Sequence, residues 1–376
     1  MATETSQPPA PAFEYVEPPA FSALGECLKN EPLVGIDTEF MRETTFVPEL
    51  CLLQISTRER IFCADPLGAD GAAAQEADEL SRVLTDRCWV VHAGRQDLEV
   101  LYLGAQLLPR EIFDTQVAAA LLGYAPQLGY AALMAELFGA SIPKLHTRAD
   151  WRRRPLSREL LEYAAEDVQF LLPARDVLCT RLEELGRLDW ALADSAELLD
   201  PSLYAPDPDA AIERLKGALY LSGAARRIAA SLAAWRETKA LEQNRPRQWI
   251  LRDATLLELA VAAPASQRAL ERTPGLASKT ARRHGAELLR LVQAAQGAPD
   301  DPRLPQPPRR PDEGHRERLK ALQARVAEAA AGLGVAPEVV ASRKELAAAL
   351  SGARDLRIFS GWRRELIGEE LLARLD

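Results

Sequence analysis

The chain has no Cys-x-x-Cys pair: its five cysteines, Cys27, Cys51, Cys63, Cys88 and Cys179, are scattered singly along 376 residues. With this spacing neither a zinc ribbon nor a disulfide framework fits. Nowhere do about 18 uncharged apolar residues run together, so no membrane-spanning helix is expected. Residues 1–13 lack both the basic start and the apolar stretch of a secretory signal. These absences point to a soluble protein of a reducing cytosol. A basic excess is missing too, since 46 Lys and Arg face 55 Asp and Glu, a net charge of −9. Taken alone, that counts against nucleic acid as a partner, because a polyanion is usually met by a basic domain.

Apolar sequence is plentiful. Hydrophobic residues make up 47% of the chain, enough for normal cores in two or three domains of roughly 150 residues each. Residues 1–19 hold five prolines and read as a mobile tail. Three short apolar runs follow at 33–36, 49–56 and 60–64, separated by polar turns, which predicts three successive strands with an antiparallel start. Further strands are expected at 88–92 and 111–113, a helix over 75–85, and one long helix from Ser157, its N-cap, to about Leu185. Strands followed by alternating helices make an α/β domain over residues 20–200. Pro-rich breaks at 200–208 and 293–312 frame a stretch with helical periodicity only, at 209–292. A second helical stretch, 313–376, lies beyond the 293–312 linker.

Asp37-Thr38-Glu39 ends a predicted strand, so its two carboxylates, at i and i+2, share one face. Asp97, in VVHAGRQDLEVL, stands at the mouth of a helix. Tyr163 and Asp167 are i and i+4 on one helical face. Each has a bland reading: a polar strand end, a helix N-terminal acid favoured by the dipole, an uninformative pair. Together, three acidic sites flank three elements in the order needed to converge over one sheet edge.

VGIDTEFMRE, VVHAGRQDLEVL and the Tyr163–Asp167 segment resemble the three motifs of the DnaQ-like, or DEDD, exonuclease superfamily in its tyrosine-bearing branch. TTFVPELCLLQIST, FDTQVAAALLGY and RADWRRRPLSRELLEYAAEDVQFLLP resemble, more closely, the ribonuclease D family. The likeness is dense over residues 32–185. Further on, GALYLSGAARRIAASLAAWRETKALEQNRPRQWILRDATLLELA is similar to a helicase-and-RNase-D C-terminal (HRDC) domain, and SGWRRELIGEELLARL to the end of a second. The resemblance implies a ribonuclease H-like mixed sheet with flanking helices, followed by two small all-α HRDC-like domains. It also implies a 3'→5' exoribonuclease that releases nucleoside 5'-monophosphates and trims the 3' ends of tRNA precursors and other small structured RNAs; a cytoplasmic location and a monomeric state are expected beside it.

By the same resemblance Asp37 would bridge two metal ions, Glu39 and Asp167 would complete the site that activates water, and Asp97 would hold the second ion. Four carboxylates with no Cys or His cluster nearby form an all-oxygen site, suited to Mg²⁺ or Mn²⁺ and not to zinc. Two such ions about 3.5 to 4 Å apart stabilise the attacking and leaving oxygens of a phosphodiester. Tyr163 would lie against the attacking water. With a reference pKa near 10 a tyrosine is a poor resting base, so its expected role is to orient the water. Two rivals stay open: a DNA exonuclease of the same fold, since contacts to the 2'-OH cannot be located, and a non-catalytic nucleic-acid-binding scaffold, which would gain nothing from unneutralised carboxylates.

Other residues divide between structure and substrate. His92, Trp89, Trp235 and Trp362 read as packing residues, and Asp114 as a helix cap. Phe40 and Met41 stand between a wedge against the terminal base and core packing. The run from Lys144 to Arg158 carries Lys144, Arg148, Arg152, Arg153, Arg154 and Arg158 against one acid, Asp150. It precedes the Tyr163 helix and reads as a loop that grips phosphates.

Dividing the charge by segment changes its meaning. Residues 1–210 carry 17 basic and 35 acidic side chains, whereas 211–290 carry 15 and 7. An acidic catalytic domain is joined to a basic helical one, and RNA capture is expected to depend on the latter. Deleting 211–376 should then weaken RNA affinity more than it harms the chemical step.

Overall fold

The structure, a computed structural model, describes residues 12–68, 73–142, 149–299, 301, 304 and 313–375. Six strands form one mixed sheet: β1 (Glu14–Val16), β2 (Leu33–Met41), β3 (Glu49–Ser56), β4 (Ile61–Ala64), β5 (Cys88–Val91) and β6 (Glu111–Asp114). Their order is β1-β4-β3-β2-β5-β6. β3 and β4 pair antiparallel, whereas β2–β5, β5–β6 and β1–β4 pair parallel. The central strands are nearly continuous apolar runs because helices cover both faces.

β1 corrects the reading of residues 1–19 as a tail. Glu14, Tyr15 and Val16 lie in register with Phe62, Cys63 and Ala64, and Val16 is buried. Three residues between prolines are too few to show a period of two. Residues 1–11 lie outside the described part.

Among the described residues eight helices accompany the sheet: α1 (Phe21–Leu28), α2 (Ala73–Thr85), α3 (Arg95–Ala105), α4 (Thr115–Leu121), α5 (Tyr130–Phe138), α6 (Arg158–Gln169), α7 (Leu171–Glu184) and α8 (Leu188–Ala196). The single helix expected over 157–185 is therefore two, broken at Phe170. The Tyr130 hydroxyl accepts from Phe170 N at 3.0 Å and donates to Glu166 O at 3.1 Å. Those are the donor and acceptor that an unbroken helix would join to each other, so Tyr130 sits inside the ladder. Pro173, which has no N–H to give to Gln169, favours the break at the same place.

The remaining helices are α9 (Gly223–Glu242), α10 (Arg247–Ile250), α11 (Asp253–Ala262), α12 (Gln267–Leu270), α13 (Ser278–Gly297), α14 (Glu313–Leu333), α15 (Pro337–Val340), α16 (Arg343–Leu350) and a last helical stretch at 361–375. α13 runs past residue 293, where the linker was expected to begin.

The chain divides into two compact units. One comprises Met1–Met41, Leu50–Tyr204 and Pro311–Asp376; the other comprises Arg42–Glu49 and Ala205–Arg310. The second helical segment thus groups with the sheet-bearing part of the chain and not with the first helical segment. Leu319, Leu322, Val326 and Ala330 of α14 share one hydrophobic core with Leu121, Leu133 and Leu178 of the sheet-bearing region. Trp362 stacks on Trp190, ring centres 4.5 Å apart. The apolar stripe of α14 signals a partner but cannot say which one. In the other unit, Asn244 Oδ1 accepts from Phe46 N and Val47 N at 3.1 and 2.9 Å. The turn between β2 and β3 thereby joins the core of the basic helical domain, where Phe46 is buried.

Candidate active site

β2 carries Asp37 and Glu39 toward α6, and α6 presents Asp167 to them. Ligand oxygens of these three carboxylates all lie within 4.8 Å of one another. Asp97 comes from the first turn of α3, just beyond β5. Two features hold that turn. An added Cβ on Gly94 would sit 2.5 Å from Val91 Cγ2, so only glycine fits. Ala93, at φ 55°, occupies the left-handed region. Its N–H and that of Gly94 both donate to Asp114, each at 3.0 Å. Asp114 also caps α4 by accepting from Gln116 N at 2.8 Å. The expected cap therefore also supports the loop that delivers Asp97.

Thr38 was not singled out from the sequence. Lying between the two acids, it faces the other side of the strand, and its hydroxyl donates to Asp97 Oδ1 at 2.5 Å. Asp97 is thereby fixed beside Asp37, whose carboxyl feels its charge. A threonine in a strand is unremarkable by type, and its only sequence signal was its place inside Asp-x-Glu. Tyr130 was missed as well; it braces the end of the helix that carries Asp167.

Burial and mutual repulsion keep this site short of negative charge. Burial first, then Asp97, Asp167 and Glu39, push the Asp37 carboxyl well above the usual range. Glu39 is raised to about 8 by burial, then by Asp167 and Asp97. Burial raises Asp167 to about 7 and Asp97 to about 6, against the pull of hydrogen bonds from Tyr163 and Thr38 respectively. Burial and the neighbouring carboxylates also raise the Tyr163 phenol above its ordinary value, and its hydroxyl bonds to Asp167. Four acids that resist ionising together form an environment in which a cation stabilises the charged carboxylates. The all-oxygen donor set fits hard divalent ions.

Residues 18–183 match the 3'-5' exonuclease family and residues 225–292 match the HRDC domain. A ribonuclease D of Gluconacetobacter diazotrophicus is 41% identical over 364 residues, covering 93% of this chain and 89% of the relative. The chain belongs to the ribonuclease D family. A second ribonuclease D, from Pseudomonas paraeruginosa, is 36% identical over 98% of each chain. The crystal structure of Escherichia coli RNase D, described as an exoribonuclease involved in structured RNA processing, superposes with a TM-score of 0.84 at 31% identity, over 97% of this chain and 98% of that one. The mixed sheet and helical C-terminal region are those of ribonuclease D, and the chain is a 3'→5' exoribonuclease. Divalent ions are the normal cofactors of this exonuclease fold, and nucleic acid is its partner.

Against the ribonuclease D frame the other expected residues separate. Trp89 and Trp235 are buried. His92 is packed as expected, its ring nitrogens 2.9 Å from Thr115 Oγ1 and Leu128 O. Phe40 and Met41 are half-buried at the end of β2, and Met41 packs against the main core. In the basic run, Arg153 is exposed and Arg152 bonds Asp150 at 3.2 Å. Lys144 and Arg148 lie outside the described residues. Arg154 departs from the expected phosphate grip: its guanidinium points inward and pairs with Asp65 at 2.5 Å. Among the described residues no helix is long and apolar enough to cross a membrane.

Proposed function

We propose that this ribonuclease D family member trims the 3' ends of tRNA precursors and other small structured RNAs, acting as a monomer in the cytoplasm and releasing nucleoside 5'-monophosphates. The observation that carries the reading is the convergence of half-buried Asp37, Glu39 and Asp167, with ligand oxygens within 4.8 Å of one another, beside a fourth acid, the buried Asp97. These four would hold two ions, Mg²⁺ or Mn²⁺. The chemistry such ions supply when bound is activation of a water and neutralisation of charge on the leaving 3' oxygen. Tyr163 donates a hydrogen bond to Asp167, which leaves its oxygen lone pairs to accept from the attacking water. Because its phenol is raised above the ordinary value, it orients the water without deprotonating it at neutral pH. Phe40 and Met41, directly after Glu39, would be the residues that meet the terminal nucleotide. Lys144, Arg148, Arg152 and Arg153 contribute positive charge for phosphates ahead of α6. Residues 211–290, with 15 basic and 7 acidic side chains, supply most of the capture.

The test is to incubate 3'-extended tRNA precursor and DNA of matched sequence with Mg²⁺ or Mn²⁺, using Asp37→Ala as control. Monophosphates should appear from RNA, only with the intact enzyme and a divalent ion. Equal release from DNA would remove the RNA assignment, and release by Asp37→Ala would remove the site.

A further inference from the structure

Each guanidinium nitrogen of Arg154 is hydrogen-bonded within the fold, and its side chain is 23% exposed. Its Nε and Nη2 donate to the two oxygens of Asp65, each at 2.5 Å, and Nη2 also donates to Cys51 O at 2.7 Å. Its Nη1 donates to Trp151 O at 2.6 Å. The Asp65 side chain has 0% exposure and accepts a third hydrogen bond from the Tyr15 hydroxyl of β1. A buried ion pair is weak evidence for stability, because desolvation offsets its attraction. It is better evidence for a position held tightly. What this one holds is Trp151. That residue is 4% exposed, and its ring lies 6.3 Å from the ring of Tyr163, tilted by 31°.

We infer that Trp151, anchored through Arg154, Asp65 and Tyr15, is a positioning residue for Tyr163. The hydrogen bond to Asp167 fixes the tip of the tyrosine but leaves its ring free to pivot about that bond. The indole beside it removes the pivot. Tyr163 is thereby gripped at both ends, by a carboxylate at the hydroxyl and by an aromatic wall at the ring, and the wall is set from β1 and β4 on the far side of the sheet order from β6. The inference rests on the role proposed for Tyr163. It assigns to the conspicuous arginine run a second task, distinct from meeting phosphate.

A double-mutant cycle on the full chain tests it, with single-turnover and steady-state kinetics on 3'-extended RNA for Trp151→Leu, Tyr163→Phe and the double variant. Trp151→Leu should lower kcat about tenfold or more, as a misplacement near 1 Å does, with KM within about twofold. The double variant should be no slower than Tyr163→Phe alone, because both changes remove the same contribution. Trp151→Phe, which keeps an aromatic wall, should recover most of the turnover. Arg154→Lys, which keeps the charge but cannot hold Asp65 and the Trp151 carbonyl together, should repeat the kcat loss and also add nothing to Tyr163→Phe. Losses that multiply in the double variant, or an unchanged kcat in Trp151→Leu, overturn the inference. If Leu at 151 prevents folding, the Trp151→Phe and Arg154→Lys arms decide. Full activity in Tyr163→Phe would remove the proposed role of Tyr163 and this inference with it, whereas an impaired Tyr163→Phe with multiplying losses would remove the inference alone.

Discussion

Both oxygens of Asp194, on α8, accept from Arg363 in the last helical stretch, each at 2.6 Å. The two side chains are only 9% and 3% exposed. Oδ1 accepts as well from the Trp362 indole at 3.1 Å, and Arg363 Nη2 donates to Val339 O at 3.0 Å. The C-terminal helices are thus built into the catalytic unit by a buried charge pair with its remaining valences satisfied. Arg363→Ala leaves Asp194 buried and unpaired, and should cost about 3–5 kcal/mol of stability, read from urea unfolding. Removing 313–376 should yield an aggregating or partly unfolded chain, because Trp190 would lose the ring stacked on it and Asp194 its buried cation. This revises the expectation that deleting 211–376 weakens RNA affinity more than it harms the chemical step; only 211–290 is a candidate for that separation.

Metal removal should make stability fall with rising pH. The unfolded carboxylates titrate near 4, whereas the folded site holds Asp97 to about 6, Asp167 to about 7 and Glu39 to about 8. Between these limits the folded state binds more protons than the unfolded one, so its stability declines as pH rises from about 4 to about 8. In chelator the Tm should therefore be lower at pH 8.5 than at pH 5. Adding Mg²⁺ or Mn²⁺ should lift it most at the higher pH, with release of protons. Asp37→Asn, which removes one of the repelling charges, should shrink the difference. A Tm in chelator that is flat or rises over this range would contradict the electrostatic picture of the site.

Tyr130→Phe should destabilise the chain by about 1–3 kcal/mol, because it leaves Phe170 N and Glu166 O without the hydroxyl that joins them. Since Asp167 lies between those two positions, the loss should appear in divalent-ion affinity as well as in thermal unfolding. Unchanged metal affinity would restrict Tyr130 to bracing the helices.

The acids and Tyr163 were legible because each sits where a short-range rule applies: two residues apart on a strand, in the first turn of a helix, four apart on a helical face. Thr38 and Tyr130 were not, since their partners are distant in sequence and threonine and tyrosine are ordinary in those elements. β1 escaped for want of length, and the helix break at Phe170 had a visible sign in Pro173 that helical periodicity outweighed. The docking of α14 onto the catalytic core was invisible, because an apolar stripe records the need for burial and not the surface that meets it. Arg154 was misread for the opposite reason. In a run of like charges nothing local distinguishes the arginine that turns inward to Asp65, a residue far away in sequence, just past the end of β4.

Arg153 and Arg154 therefore offer a sharp contrast between neighbours. Arg153 is exposed, while Arg154 is bonded to Asp65, Cys51 and Trp151. If Arg153 meets phosphate, Arg153→Gln should weaken RNA binding to a similar degree across sequences and lower the slope of log K against log salt by about 1, with Tm unchanged. Arg154→Gln should leave that slope alone, since no phosphate contact is removed. It should lower Tm instead, because the buried Asp65 loses its cation. Binding measured between low and moderate salt, alongside thermal unfolding, separates the two. A reduced salt slope in Arg154→Gln would mean that this guanidinium leaves Asp65 to reach the substrate, and would restore the run to a single phosphate-gripping surface.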